Sequence, residues 1–178
     1  MIGYRSRALP IDDDPEGSRL ILAQQVLRNV EFHLELRKQG ANHENAMYLL
    51  GRRVEEDAVA LALVRPILVT TPRSYATSVE SHQDVLKYIS GSGLEIIGQI
   101  HCHPGEGVYH SDGDDDLAFG RSEGYWSMVV PHYSRAGLWT VADCGFHHYT
   151  AGCFKMLTNE AVARRILIIG DYEDRNNE

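Results

Sequence analysis

Apolar and polar positions follow distinct rhythms along this chain. Residues 1–18 have none. They are polar, contain Pro10, Pro15 and the acidic run Asp12-Asp13-Asp14, and are expected to form a mobile arm with solvated carboxylates. Residues 19–38 open with an apolar run and continue at helical spacing through Val26, Leu27, Val30 and Leu34, with Lys38-Gln39-Gly40 as the stop. Glu44 to Gly51 reads as a buried strand closed by its glycine. Ala58 to Val64 reads as a second strand, and Ile67 to Thr70 as a third or as its continuation past Pro66. Such unbroken apolar strands are covered on both faces. Thr77-Ser78-Val79-Glu80 has the spacing of a capping box and predicts a helix from Thr77 to about Ser90, with Val79, Leu86 and Ile89 inward and Gly91-Ser92-Gly93 as its end. Leu94 to His101 is a predicted strand, and a short helix begins near Ser111. Trp126 to Val130, Leu138 to Ala142 and Gly145 to Thr150 make a meander. Asn159 to Ile169 is a closing helix and Asp171 to Glu178 a charged tail. With no repeat or linker, residues 19–170 are expected to form one α/β domain, a mixed β-sheet flanked by helices.

Composition narrows the function. A chain of 178 residues can bury a full core, and its 43% hydrophobic content is ordinary for a globular protein. No apolar run approaches a membrane span, so no membrane partner is expected. The start, Met1-Ile2-Gly3-Tyr4-Arg5, lacks the apolar stretch of a secretory signal, and a cytoplasmic location is the expectation. A formal net charge of −8 argues against nucleic acid as a partner, because phosphate binding needs clustered Lys and Arg. The three cysteines, Cys102, Cys144 and Cys153, form no C-x-x-C pair and read as small core residues rather than a disulfide framework or zinc finger.

Nine histidines are many for this length, and two of them stand two residues apart in Gly98-Gln99-Ile100-His101-Cys102-His103-Pro104. Alternate residues of a strand share a face, so His101 and His103 project together, about 7 Å apart at Cα, while Cys102 points away. Two imidazoles at that spacing can converge on one zinc ion. Pro104 ends the strand, and the chain returns with Ser111 and the acidic run Asp112 to Asp116 at the start of a helix. Asp114 can supply an oxygen as third ligand. Two His, one carboxylate and an open fourth position form a catalytic type of zinc site. A hydrolase built on it also needs a base. Glu44, Glu55, Glu56, Glu80 and Glu106 are candidates, and only Glu44 opens a strongly apolar strand. His110 lies close to this segment and could contact a substrate, but is expected as a solvated loop residue; His147-His148 is expected as a strand pair with one exposed ring, and Tyr109 and Trp126 in either a substrate groove or core or rim packing.

The run His101-x-His103-x7-Ser111-x2-Asp114 resembles the signature of the JAMM (MPN+, JAB) metalloproteases, spacing for spacing. The flanking "GLEIIGQIHCHPG", Gly93 to Gly105, is similar to the strand that brings in the family's histidines. "ENAMYLLGR", Glu44 to Arg52, is similar to its glutamate strand. The resemblance covers roughly residues 20 to 160. It implies a cytidine-deaminase-like architecture, about one zinc ion per chain on His101, His103 and Asp114, Glu44 as general acid/base, and Ser111 as donor to the oxyanion. Cys102 departs from the Ser or Thr more common there. The resemblance further implies an isopeptidase acting on a ubiquitin-like protein or its conjugates after a Gly-Gly tail. Its short length is similar to that of compact bacterial members, some of which sit beside ubiquitin-like conjugation systems in antiviral defence. A peptidase acting on a sulfur-carrier protein and a non-catalytic MPN scaffold are the alternative readings.

Overall fold

A computed structural model of the chain describes residues 10–34, 43–134 and 141–170, with side chains excepted at 31–34. Eleven strands and four α-helices follow one another as β1 (Ile11–Asp12), β2 (Leu20–Ala23), α1 (Gln24–Leu34), β3 (Ala46–Val54), β4 (Asp57–Val64), β5 (Leu68–Thr71), β6 (Ser74–Thr77), α2 (Val79–Ile89), β7 (Glu95–Cys102), α3 (Asp112–Leu117), β8 (Tyr125–Val130), β9 (Gly145–Thr150), β10 (Cys153–Leu157), α4 (Asn159–Arg165) and β11 (Ile166–Ile169). Nine strands form one mixed sheet in the order β1-β10-β9-β8-β7-β3-β4-β2-β11, and β5 pairs with β6 in a separate hairpin. Among the described residues no helix is long and apolar enough to cross a membrane.

The central strand β3 explains why helices lie on both faces. Met47 and Leu49 enter one core with Leu20, Val26, Leu27 and Val30, the last three from the face of α1 read from the sequence, whose fourth member Leu34 has its side chain outside the described residues. Tyr48 and Leu50, pointing the other way, pack with Val85 and Ile89 of α2. From Ala46 to Gly51 both faces of β3 are therefore dry, as its unbroken apolar run requires. Each fully buried large side chain of this kind contributes roughly 1.5–3 kcal/mol. The strand does not stop at Gly51. It runs on to Val54, and its register shifts around Leu50 and Gly51 against both neighbours. Only Gly fits there, because a Cβ would stand 1.9 Å from the carbonyl oxygen of Val59.

Several expectations are corrected. Of the predicted mobile arm, residues 10–18 are docked: Ile11–Asp12 adds a parallel edge to β10, and the half-buried Asp12 pairs with Arg165 at 2.8 Å. The N-cap of α2 is Ser78, whose hydroxyl accepts from the Ser81 N–H at 3.1 Å, while Thr77 instead donates to the Ile67 carbonyl. Ser81, Val85 and Ile89 face inward, while Val79 and Leu86, expected on that face, are exposed. Pro66 separates β4 from β5, which leaves the sheet for the hairpin. The predicted closing helix stops at Arg165, and Ile166–Ile169 is a strand parallel to β2. Cys153–Leu157 is a strand absent from the sequence reading. Of the predicted strand Leu138 to Ala142, residues 138–140 lie outside the described residues and Val141 and Ala142 are in a bend and turn. The stop at Lys38-Gln39-Gly40 and the tail from Asp171 also lie outside them.

Candidate metal centre

Strand β7 delivers the two histidines. It pairs antiparallel to β3 with Ala46 opposite His101, and the Cys102 N–H donates to the Asn45 carbonyl at 3.1 Å. Continuing this register sets Glu44 opposite His103, on the face that also carries His101. Cys102 points the other way and is buried in the core beneath α1. Beyond β7 the His103 N–H donates to the Val130 carbonyl at 2.9 Å, so the chain keeps its extended course for one more residue before Pro104.

Helix α3 delivers the carboxylate. Ser111 is its N-cap, in an extended conformation, and forms a reciprocal capping box with Asp114. The Ser111 Oγ accepts from the Asp114 N–H at 3.2 Å, and the Asp114 Oδ2 accepts from the Ser111 N–H and hydroxyl at 2.7 Å each. A side chain that satisfies orphan donors at a helix start is held in one rotamer. The Asp114 carboxylate is thereby aimed at the histidines, with Oδ1 3.5 Å from His101 Nε2 and Oδ2 3.3 Å from His103 Nε2. Within the acidic run, Asp112 and Asp116 are exposed and Asp115 binds His110, so Asp114 alone joins the cluster.

One ligand atom from each of His101, His103 and Asp114 lies within 4.8 Å of the others. His101 is fully buried, and neither of its ring nitrogens has a hydrogen-bond partner among the described residues. An orphaned buried nitrogen beside a carboxylate is costly unless something binds there. His103 is oriented by its far edge, where Nδ1 lies 2.9 Å from the Gly107 carbonyl. That carbonyl can only accept, so Nδ1 carries a hydrogen and Nε2, beside Asp114, is the nitrogen left to bind an ion. Two nitrogen donors and one oxygen, fixed by outer hydrogen bonds, fit a divalent cation such as zinc.

The electrostatics separate the group by role. Burial favours the neutral form of Asp114, but His103, His101 and Ser111 outweigh it and hold the carboxyl well below its usual range. Burial keeps His101 neutral against the pull of Asp114, whereas at the less buried His103 the carboxylate prevails and raises the pKa. Glu44 is 5% exposed, the only buried side chain among the five candidate bases. Burial lifts it to about 7, with His103 pulling it down and Asp114 pushing it up. A carboxyl poised near neutrality can both take and return a proton. Ser111 is exposed beside this cluster, where its hydroxyl is open to a bound molecule.

Tyr75 and His147 are not legible in the sequence as neighbours of the site, and His110 is legible only as a residue close to it. Tyr75 of β6 is buried with its ring 5.4 Å from His101. His110 is not a solvated loop residue: it is buried between Asp115 at 2.8 Å and Ser127 at 2.9 Å, and stacks on His147 at 4.0 Å. His147 and His148 are both buried, not one in and one out, and Trp126 lies under His148 and Arg165 in the core. Tyr109 is half exposed. The position of His110 immediately before the Ser111 cap was the one available signal.

Comparison with known proteins follows the same lines. Residues 29–153 match the family described as prokaryotic homologs of the JAB domain. Over 43 residues, 24% of this chain, the sequence is 46% identical to a protein of Sinorhizobium fredii (strain NBRC 101917 / NGR234) named "Probable metalloprotease y4jG". The match spans 26% of that protein's length. The solution structure of protein DSY2949 from Desulfitobacterium hafniense superposes with a TM-score of 0.63 at 15% identity, covering 89% of this chain and 99% of the other. The crystal structure of AF2198, a JAB1/MPN domain protein from Archaeoglobus fulgidus, gives a TM-score of 0.50 at 15% identity, covering 86% and 100%.

Proposed function

This chain belongs to the family of prokaryotic homologues of the JAB domain, and from that membership we propose that it is a zinc-dependent hydrolase of peptide or isopeptide bonds. The observation that carries the proposal is the buried carboxyl of Glu44, lifted to about 7, opposite the cluster of His101, His103 and Asp114.

His101 and His103 would hold the ion through Nε2 and Asp114 through its carboxylate. Bound zinc supplies a Lewis acid and an acidified water at neutral pH. Glu44 would take a proton from the attacking water and return it to the leaving amine, both within one low-dielectric wall. The Ser111 hydroxyl turns from Asp114 to donate to the oxyanion, an interaction worth most where charge develops.

The substrate reading is a ubiquitin-like protein or its conjugates, cut after a C-terminal Gly-Gly tail. It rests on the resemblance of the His101 to Asp114 segment to the JAMM signature, while the relative's name supports only the metalloprotease part of the reading. Fusions of ubiquitin-like and sulfur-carrier proteins, each ending in Gly-Gly before a reporter, test it in the presence of zinc and of chelator. Cleavage of the ubiquitin-like fusions that chelator abolishes is expected. Cleavage of the sulfur-carrier fusions alone would redirect the assignment, and no cleavage of any fusion by zinc-loaded protein would overturn it.

A further inference from the structure

After β8 the chain leaves the sheet by a costly route. His132, Tyr133 and Ser134 have φ angles of 54°, 53° and 62°. None is Gly, and in this left-handed region Cβ crowds the following carbonyl. Three such residues in succession persist only where surrounding contacts over-determine them. The contacts are specific. The His132 N–H donates to the Gly105 carbonyl at 2.9 Å, and the Tyr133 N–H donates to the His103 carbonyl at 2.8 Å. Both acceptors lie on the segment that carries the candidate ligand His103.

The side chain of Tyr133 reaches a different element. Its hydroxyl donates to the Pro72 carbonyl at 2.8 Å, at the tip of the β5–β6 hairpin. The next residue back, Thr71, accepts the Glu44 N–H through its carbonyl at 2.9 Å. The hairpin is not part of the nine-stranded sheet. Its base is tied to α2, where the Ile67 N–H donates to Ser81 Oγ at 2.9 Å, and its tip is tied to Glu44 and Tyr133. Glu44 itself precedes the first paired residue of β3, so its amide is anchored by the hairpin and not by the sheet.

We propose that Tyr133 is a positioning residue that holds the hairpin tip, and through it the backbone of Glu44, in register with the segment bearing His103. This rests on Glu44 being the acid/base of the proposed hydrolase. The left-handed turn is what allows one residue to grip the His103 carbonyl with its amide and the Pro72 carbonyl with its side chain. A proton carrier displaced by a fraction of an ångström leaves the metal ligands intact and still slows proton transfer.

Tyr133→Phe tests the proposal, since the ring is buried in the main core and Phe keeps its packing. The variant should bind zinc in the same stoichiometry as wild type. Amide hydrogen exchange at Glu44 should rise by roughly tenfold or more, while exchange at Ile97 and Ile100 of β7 stays unchanged. On a cleavable fusion, kcat should fall by roughly tenfold with KM within about twofold. Unchanged exchange at Glu44, or an equal rise at all three amides, would overturn the proposal, the latter leaving Tyr133 a merely structural role. If wild type cuts no substrate, the functional reading fails and the exchange comparison still decides Tyr133. Should the Phe variant not fold, native-state exchange of wild type across a denaturant series replaces it. The amides of Glu44, His132 and Tyr133 should then share one opening, and separate openings would overturn the coupling.

Discussion

His103 and Asp114 face each other across 3.3 Å, from Nε2 to Oδ2, while the opposite edge of the same imidazole holds the Gly107 carbonyl at 2.9 Å. The carboxylate is fixed just as firmly by Ser111, so neither partner depends on the other for its orientation. A ligand pair preorganised from outside can bind an ion without rearranging.

Metal content is the first expected consequence. Purified protein prepared without chelator should carry about one zinc per chain, and the His101→Ala, His103→Ala double variant should carry none. Elemental analysis reads both. Equal zinc in the two proteins would place the ion elsewhere.

Glu44→Gln should keep its zinc and lose activity. Gln retains the shape and can still hydrogen-bond, but it cannot carry a proton. A loss of roughly 100- to 10,000-fold in kcat is expected. Zinc lost together with activity would make Glu44 a ligand, and turnover close to wild type would move the base to another acid.

Ser111 has two jobs that substitutions can separate. Ser111→Ala removes both the helix cap and the hydroxyl, at a stability cost of roughly 0.5–2 kcal/mol, whereas Gly at an N-cap costs only a few tenths. If the hydroxyl donates to the oxyanion, both variants should lose roughly 100- to 1000-fold in kcat. Denaturation midpoints and kinetics measured together check this. Activity that tracks stability, with Gly near wild type, would leave Ser111 as a cap only.

Acid should destabilise the metal-free protein through His147. Burial, aided by His110, holds its folded pKa at about 3, against about 6.5 in an unfolded chain. A depressed folded pKa gives a contribution that is complete above about 6.5 and is lost as pH falls toward 3. By pH 5 this one group should have cost roughly 2 kcal/mol. His147→Gln keeps a donor for the Val108 carbonyl but does not titrate, so its urea midpoint should fall less between pH 7.5 and 5 in the presence of chelator. Parallel losses in variant and wild type would remove His147 from the acid response.

The docking of residues 10–18 depends on Arg165. Its guanidinium is 1% exposed, pairs with Asp12 at 2.8 Å, donates to the carbonyls of Ser18 at 2.8 Å and Asp14 at 3.1 Å, and lies over Trp126. Arg165→Leu strands the Asp12 carboxylate and should cost about 3 kcal/mol or more. Adding Asp12→Leu should recover part of that loss. A single-variant cost within about 1 kcal/mol would mean that the pair does not hold the segment.

What the sequence determined by itself was local. Residues 101 and 103 share a face because a strand has a period of two, and Ser111 three residues before Asp114 sets a capping box because helix starts leave orphan N–H groups. The apolar run after Glu44 required a strand covered on both sides, and β3 is one. Those rules need only neighbours along the chain.

Tertiary structure decided everything that depends on a distant partner. Ile166–Ile169 is as compatible with a helix as with a strand, and it became a strand because β2 offered it a parallel edge. Asp12 looked solvated until Arg165, more than 150 residues away, was folded against it. His110 looked solvated until β8 and β9 brought Ser127 and His147 to its two sides. The tie from Tyr133 to Pro72 crosses 61 residues and has no trace in spacing or composition. Periodicity tells which face a side chain occupies, but burial, pairing and pKa follow from what the fold sets against that face.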